Sequence, residues 1–389
     1  MKIVLAPDSF KENLTSLQVA TCIEKGIKRV LPKANCIKVP MADGGEGTVQ
    51  ALVDATGGRF VRKKVTGPDG NQVSSRYGIL GDGETAVIEM AEASGLHLVE
   101  KEKRDPLTAT TYGTGELIMD AMKKGSRTII IGLGGSATVD GGAGMAQALG
   151  IRFLDKSGEV IEAHLGGGML KQIATIDMTG RDPLVAKTKI IIASDVTNPL
   201  AGKKGAAHVF GPQKGATPAQ VKTLDENLKY FGQLIKKQLK KDVAKKPGAG
   251  AAGGLGAALM AFTRASMKRG VDLIVKVTEL EKYLKGADLV ITGEGRIDFQ
   301  TAFGKTPAGV AKAARKHRVP VVAIGGCLAD DARGVFEHGI DGLESAAAKD
   351  MSFEEAIKHS RKHLELAGER TIRMILIGKK MARKRQRKK

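Results

Sequence analysis

The first 48 residues, MKIVLAPDSFKENLTSLQVATCIEKGIKRVLPKANCIKVPMADGGEGT, hold two successive units of one kind and decide the fold class. Lys2–Ala6 is a short apolar run that reads as a buried strand, followed by the polar turn Pro7-Asp8-Ser9-Phe10-Lys11. From about Ser16, the residues Leu17, Ala20, Ile23, Ile27 and Val30 recur three or four apart, which predicts a helix that Pro32 stops. Cys36–Pro40 reads as a second strand. It runs into Met41-Ala42-Asp43-Gly44-Gly45-Glu46-Gly47-Thr48 and a helix ending at Gly57-Gly58, residues suited to a helix C-terminus. Strand, polar glycine loop and helix, twice within 60 residues, begin a parallel α/β sheet.

The rhythm changes beyond Gly58. Phe60–Val65, Val73–Leu80 and Thr85–Met90 read as strands joined by Gly-Pro-Asp-Gly and Gly-Asp-Gly turns, hence antiparallel hairpins. A helix over Tyr112–Lys124, a strand at Thr128–Ile131 and a glycine-rich loop over Gly132–Gly144 follow. Lys189–Ala193 is a buried strand, and Thr217-Pro218 opens a long amphipathic helix. Near the end the first rhythm resumes. Asp288–Thr292 is a strand, Gly293–Asp298 its loop, a helix starts near Pro307, and strand Val319–Ile324 meets a Gly325-Gly326 turn. The two ends resemble each other more than the middle. We therefore expect a two-domain α/β protein: a Rossmann-like parallel-sheet domain from residues 1–60 and 287–378, an inserted α/β domain over 61–286, and a basic disordered tail at 379–389.

Composition narrows the function classes. The net charge is +20, but eight of the positive charges lie at Lys379, Lys380, Arg383, Lys384, Arg385, Arg387, Lys388 and Lys389. The chain has no Trp and no basic stretch interleaved with aromatics on which bases could stack, which argues against a nucleic-acid partner. Cys22, Cys36 and Cys327 form neither a disulfide framework nor a zinc pattern, so a reducing cytoplasm is expected. No apolar run approaches the ~20 residues that span a bilayer. Monomer and homodimer both stay open.

The chemistry is carried by where acidic residues and glycines fall. They follow buried strands, at the ends where open α/β sheets collect ligands. Asp8-Ser9 follows the first strand and Asp43-Gly44-Gly45-Glu46 the second; Asp195 with Asn198, and Glu294 to Asp298, follow two more. Glycine lets a phosphate approach the backbone and helix N-termini offer free N–H groups. Carboxylates beside such loops would repel a phosphate unless Mg²⁺, which prefers oxygen ligands, sits between them. The pattern points to phosphoryl transfer from a nucleotide. Taken singly, each glycine pair is more often a turn and each such aspartate a helix cap; four loops together shift the balance.

The rival is Gly132-Leu133-Gly134-Gly135-Ser136-Ala137, which fits a dinucleotide fingerprint with Asp155 about 20 residues on, as in an NAD-dependent hydroxy-acid dehydrogenase. The continuation Thr138-Val139-Asp140-Gly141-Gly142 is too polar for a helix packed on a sheet. We read this loop as an anion cradle with Ser136 and Thr138 as hydroxyl donors. There is no G-x-x-x-x-G-K-[ST] sequence. His359 and His363, four apart, read as a solvated helix face.

In that order, Asp8-Ser9-Phe10-Lys11, MADGGEGT at 41–48, Tyr112-Gly113-Thr114-Gly115-Glu116, GGSATVDGG at 134–142, DVTNPL at 195–200, GAGAAGGLG at 248–256 and GEGRID at 293–298 resemble the class I bacterial glycerate kinases of the glycerate 2-kinase type. Gln300-Thr301 and Gly304-Lys305 extend the last motif, and the resemblance covers about residues 1–378. It implies an ATP-dependent kinase acting on D-glycerate, with the 2-hydroxyl the expected acceptor and the 3-hydroxyl the alternative that the residues leave open, and two α/β domains with a cleft between them. Two departures exist: Glu12-Asn13 stand where the family commonly has Gly-Ser, and Val139 where it often has Asn. Within that frame Lys11, Arg296 and Lys305 are candidates for a small carboxylate, since an Arg fork matches one bidentately. Asp195, with Asp43 second, is the candidate acceptor for the hydroxyl proton. Asp43, Glu294 and Asp298 are the expected Mg²⁺ ligands. Gly44, Gly45, Gly47, Gly134, Gly135, Ser136, Thr138 and Lys305 are expected around ATP, and Asp8, Ser9, Lys11, Asn198 and Arg296 around the substrate.

Overall fold

Ile3, Val4 and Leu5 are fully buried because their strand lies inside a sheet covered on both faces. In the computed structural model, which describes residues 1–347 and 352–386, the chain forms two compact units. One consists of Met1–Asp43, Gln50–Thr56 and the described residues from Val271 onward; the other of Gly44–Val49 and Gly57–Gly270.

The terminal unit holds a five-stranded sheet, all parallel, in the order Gly342–Ser345, Val321–Leu328, Leu289–Ile297, Lys2–Leu5, Asn35–Lys38. From Lys2–Leu5 the chain proceeds outward to Asn35–Lys38. From its other neighbour, Leu289–Ile297, it proceeds the opposite way to Val321–Leu328. Strand order therefore reverses between these two central strands, and ligands gather outside the carboxyl ends at such a point. Helix Ser16–Val30, closed by a Thr15/Gln18 capping box, buries Val19, Ala20, Ile23 and Ile27 against Ile3, Leu5, Leu364, Ala367 and Ile372. It crosses helix Ser360–Gln386 where a Cβ on Gly26 would fall 1.8 Å from the Glu365 carbonyl oxygen. Any larger residue there would force the helices apart.

Four expectations are corrected. Gly293–Ile297, read as a loop, continues its strand, with Glu294 opposite Gly325 and Arg296 opposite Cys327. Gly325-Gly326, read as a turn, lies inside strand Val321–Leu328. Their glycines mark close backbone approach: a Cβ on Gly293 would meet the Ile324 carbonyl oxygen at 2.1 Å. Residues 379–386, read as disordered, continue helix Ser360–Gln386, because KKMARKRQ is made of good helix formers; residues 387–389 lie outside the described ones. Residues 271–286, placed by the sequence reading in the 61–286 insertion, fall in the terminal unit, where Lys312–Asp272 and Lys316–Glu281 ion pairs hold them.

The inserted unit holds a six-stranded sheet in the order Ser266–Lys268, Lys189–Ala193, Thr128–Gly132, Thr85–Glu89, Gln72–Ile79, Arg59–Thr66. The first four are parallel and the last two antiparallel hairpin strands. Ile129, Ile131, Ile190 and Ile192 pack with Leu117, Phe153, Phe231 and Phe262 in its core. Among the described residues no helix is long and apolar enough to cross a membrane.

Candidate active site

At the strand-order reversal of the terminal unit the backbone pairing runs on past the strand end, with Asp8 N–H donating to the Gly293 carbonyl at 2.8 Å. This sets the Asp8 side chain at the carboxyl edge. Its Oδ2 accepts from the Thr306 hydroxyl at 2.5 Å and its Oδ1 from the Ser9 N–H at 2.6 Å. The group is 8% exposed. Burial, and then the negative charge of Asp43, push its pKa up to about 7; the Thr306 and Ser9 hydrogen bonds pull against this, and Glu294 adds to the rise.

Glu294 accepts from the Thr301 hydroxyl at 2.5 Å and faces Lys305 Nζ at 3.6 Å. Burial raises its pKa, opposed by Thr301 and Lys305 and reinforced by Asp298 and Asp43. Asp298 caps the short helix Phe299–Ala302 by accepting from Gln300 N–H at 2.9 Å. It also lies 3.7 Å from Lys305 Nζ and 3.9 Å from Arg296 Nε. Arg296 and Lys11 are exposed, and Ser9 is half-buried. Asp8, Asp43, Glu294 and Asp298 are thus gathered with Lys305 at one edge.

The inserted unit gathers the glycines. A Cβ on Gly132 would meet the Gly44 carbonyl oxygen at 2.9 Å, and one on Gly134 would meet Gly45 Cα at 3.7 Å. Gly44 and Gly47 have φ of 96° and 87°, which favours glycine. Glu89, the last residue of its strand, holds this segment by accepting from Val49 N–H at 2.8 Å and from Gly47 N–H. Burial takes the Glu89 pKa to about 7. Gly134 and Gly135 are exposed at the same carboxyl edge.

The hydroxyls expected beside them are placed differently. Ser136 is buried and accepts from Lys214 Nζ at 2.7 Å. Thr138 is fully buried and its hydroxyl has no hydrogen-bond partner among the described residues; its carbonyl also accepts from Lys214 at 2.7 Å. The polar run turns inward because Asp140 nucleates it. That carboxylate accepts from the Thr111 N–H and hydroxyl at 2.9 and 2.6 Å and from the N–H groups of Gly142 and Gly144. Asp195 is exposed, 3.7 Å from Arg269 Nε. The Asn198 amide donates to the Lys204 carbonyl and holds its own loop. Asp155, the ribose candidate of the dehydrogenase alternative, instead closes a turn by accepting from Ser157 and Glu159 N–H groups.

Glu89, Asp140, Lys214 and Thr306 are not singled out from sequence. Glu89 obeys the strand-end rule used for the others, and Thr306-Pro307 repeats the helix-opening pair seen at Thr217-Pro218. Nothing around Lys214 marks it. Among the described residues no three His, Cys, Asp or Glu side chains form a ready metal cage. The oxygen-only set at Asp43 and Glu294 suits Mg²⁺, which is held by one or two carboxylates with phosphates and water completing the shell.

A profile described as the glycerate kinase family matches residues 3–376. The chain is 56% identical over 365 residues to a glycerate kinase of Halalkalibacterium halodurans, covering 94% of this chain and 96% of that one. It is 50% identical over 382 residues to the glycerate 2-kinase of Escherichia coli K12, covering 98% and 100%. A crystal structure assigned as glycerate kinase 2 from Salmonella typhimurium LT2 superposes with a TM-score of 0.90 at 48% identity, covering 98% and 99%. The α/β fold fed by both termini, taken with these matches, defines the class, a phosphotransferase. The chain belongs to the glycerate kinase family.

Proposed function

We propose that the protein phosphorylates D-glycerate at the 2-hydroxyl with ATP, giving 2-phosphoglycerate and ADP. The observation that carries this reading is the gathering of Asp8, Asp43 and Glu294 with Thr306 and Lys305 where strand order reverses. The relative named a glycerate 2-kinase supports the 2-hydroxyl.

Asp43 and Glu294 would hold Mg²⁺, which when bound neutralises charge on the phosphate oxygens; Asp298, engaged as a helix cap, is left as a support. Within the inserted unit Gly44, Gly45, Gly47, Gly134 and Gly135 offer backbone suited to phosphate, and within the terminal unit Lys305 is the cation suited to an anion. Lys11 and Arg296 pair with the glycerate carboxylate, and Ser9 orients it. In the transfer the substrate hydroxyl oxygen bonds to the γ-phosphorus as the bond to the β–γ bridging oxygen breaks and ADP departs. The hydroxyl proton passes to a carboxylate. Asp8, with a pKa near 7, matches that task best, because a base is most effective near its working pH. Asp195, expected for it from sequence, stands exposed beside Arg269.

Phosphorus NMR of a reaction of protein, D-glycerate and MgATP tests the reading. A 2-phosphoglycerate resonance growing with ADP is expected; 3-phosphoglycerate rejects the regiochemistry, and no phosphoglycerate rejects the reaction.

A further inference from the structure

Beside the acidic cluster the terminal unit leaves large aromatic surface exposed. Phe299 is 51% and Phe303 70% exposed. Their rings meet edge-to-face at 6.4 Å, and the His338 ring meets Phe303 at 5.7 Å. Two short helices build this cluster, Phe299–Ala302 and Ala332–His338, joined where Phe299 N–H donates to Asp331 Oδ1 at 3.3 Å. Its place is fixed by the site itself. Phe299 follows the cap Asp298, and the same short helix turns Thr301 onto Glu294. Phe303 stands two residues before Lys305, whose ammonium faces Glu294 and Asp298.

A ligand suited to this edge has a flat apolar face joined to an anionic tail. Glycerate, with three carbons, offers no such face. We propose that Phe303, with Phe299 and His338 behind it, is the platform on which the purine ring of the nucleotide stacks. This rests on the kinase reading above. Aromatic platforms take bases through their π-faces.

The absence of Trp from the chain supplies a clean test. Phe303→Trp makes the full-length protein a single-tryptophan reporter at the platform. Saturation with MgADP is expected to quench or shift its emission, whereas inorganic tripolyphosphate, which lacks a base, is expected to leave the emission unchanged. In parallel, Phe303→Ala is expected to raise the ATP KM roughly tenfold against less than twofold for glycerate, with Phe303→Tyr restoring the ATP KM. Emission that ignores MgADP, together with an unchanged ATP KM in Phe303→Ala, overturns the proposal while leaving the kinase reading intact. Emission that tracks protein concentration rather than nucleotide also overturns it, making the patch a contact between copies. Failure of the unsubstituted protein to make phosphoglycerate sinks the kinase reading itself.

Discussion

The Thr306 hydroxyl donates to Asp8 Oδ2 at 2.5 Å, joining residues 298 apart in the chain. One follows the first strand and the other opens helix Thr306–Lys316, so the bond crosses the point where strand order reverses. It acts against the burial that raises Asp8, because it favours the ionised form. Thr306→Val removes that help and leaves the shape. The acid limb of the kcat–pH profile is expected to move to higher pH by about one unit, the equivalent of ~1.4 kcal/mol. A limb that stays in place shows that Asp8 does not govern turnover.

Asp8 also leaves a signature in stability. Its folded pKa, about 7, lies above the ordinary value of 3.8. Between these values the folded protein holds a proton that the unfolded chain has lost, so stability falls as pH rises from about 4 to about 7 and then levels. Asp8→Asn is expected to abolish that component and to exceed the native protein in stability at pH 8 by something on the order of 1–3 kcal/mol. Urea denaturation at pH 5 and pH 8 measures it. Equal differences at the two pH values would remove the buried-carboxylate account.

The same variant, set beside Asp195→Asn, decides the proton acceptor. Asp8→Asn is expected to lower kcat by roughly 10³-fold and erase the acid limb near neutrality, since general-base catalysis contributes about 10²–10⁴-fold. Asp195→Asn is expected to cost less and keep the limb. The reverse order, read from kcat against pH for both variants, assigns the proton to Asp195.

The sequence made the sheet legible wherever a buried strand met a polar glycine loop, because apolar run, turn and helix spacing are all local. Hence Asp8, Asp43, Glu294 and Asp298 could be picked before their meeting was visible. What escaped had non-local causes. Gly293–Ile297 looks like a loop, yet it extends as strand because Val321–Leu328 pairs with it at Gly293, Glu294, Arg296 and Ile297. Thr138 looks like a phosphate donor, yet the Asp140 hydrogen bonds to Thr111, Gly142 and Gly144 wind that segment inward. Glu89 earns its place only because Val49 lies opposite it in space.

Lys214 is the strongest case of a group no local pattern reveals, and its test combines packing with titration. It is 2% exposed, and its ammonium donates to Ser136 Oγ and the Thr138 carbonyl, fixing the loop that carries Gly134 and Gly135. Burial lowers its pKa to about 7, with Asp140 opposing. Between pH 7 and about 10 the unfolded chain binds the proton that the folded protein has released, so native stability rises with pH across that window. Lys214→Met removes this rise and leaves two buried acceptors unpaired, which costs about 1–3 kcal/mol each. The stability gap between the native protein and the variant is therefore expected to widen by about 2 kcal/mol between pH 7 and pH 9, with a raised ATP KM as the loop loosens. A gap that is flat from pH 6 to pH 9 would mean that Lys214 keeps its proton, stabilised by Asp140 against the cost of burial.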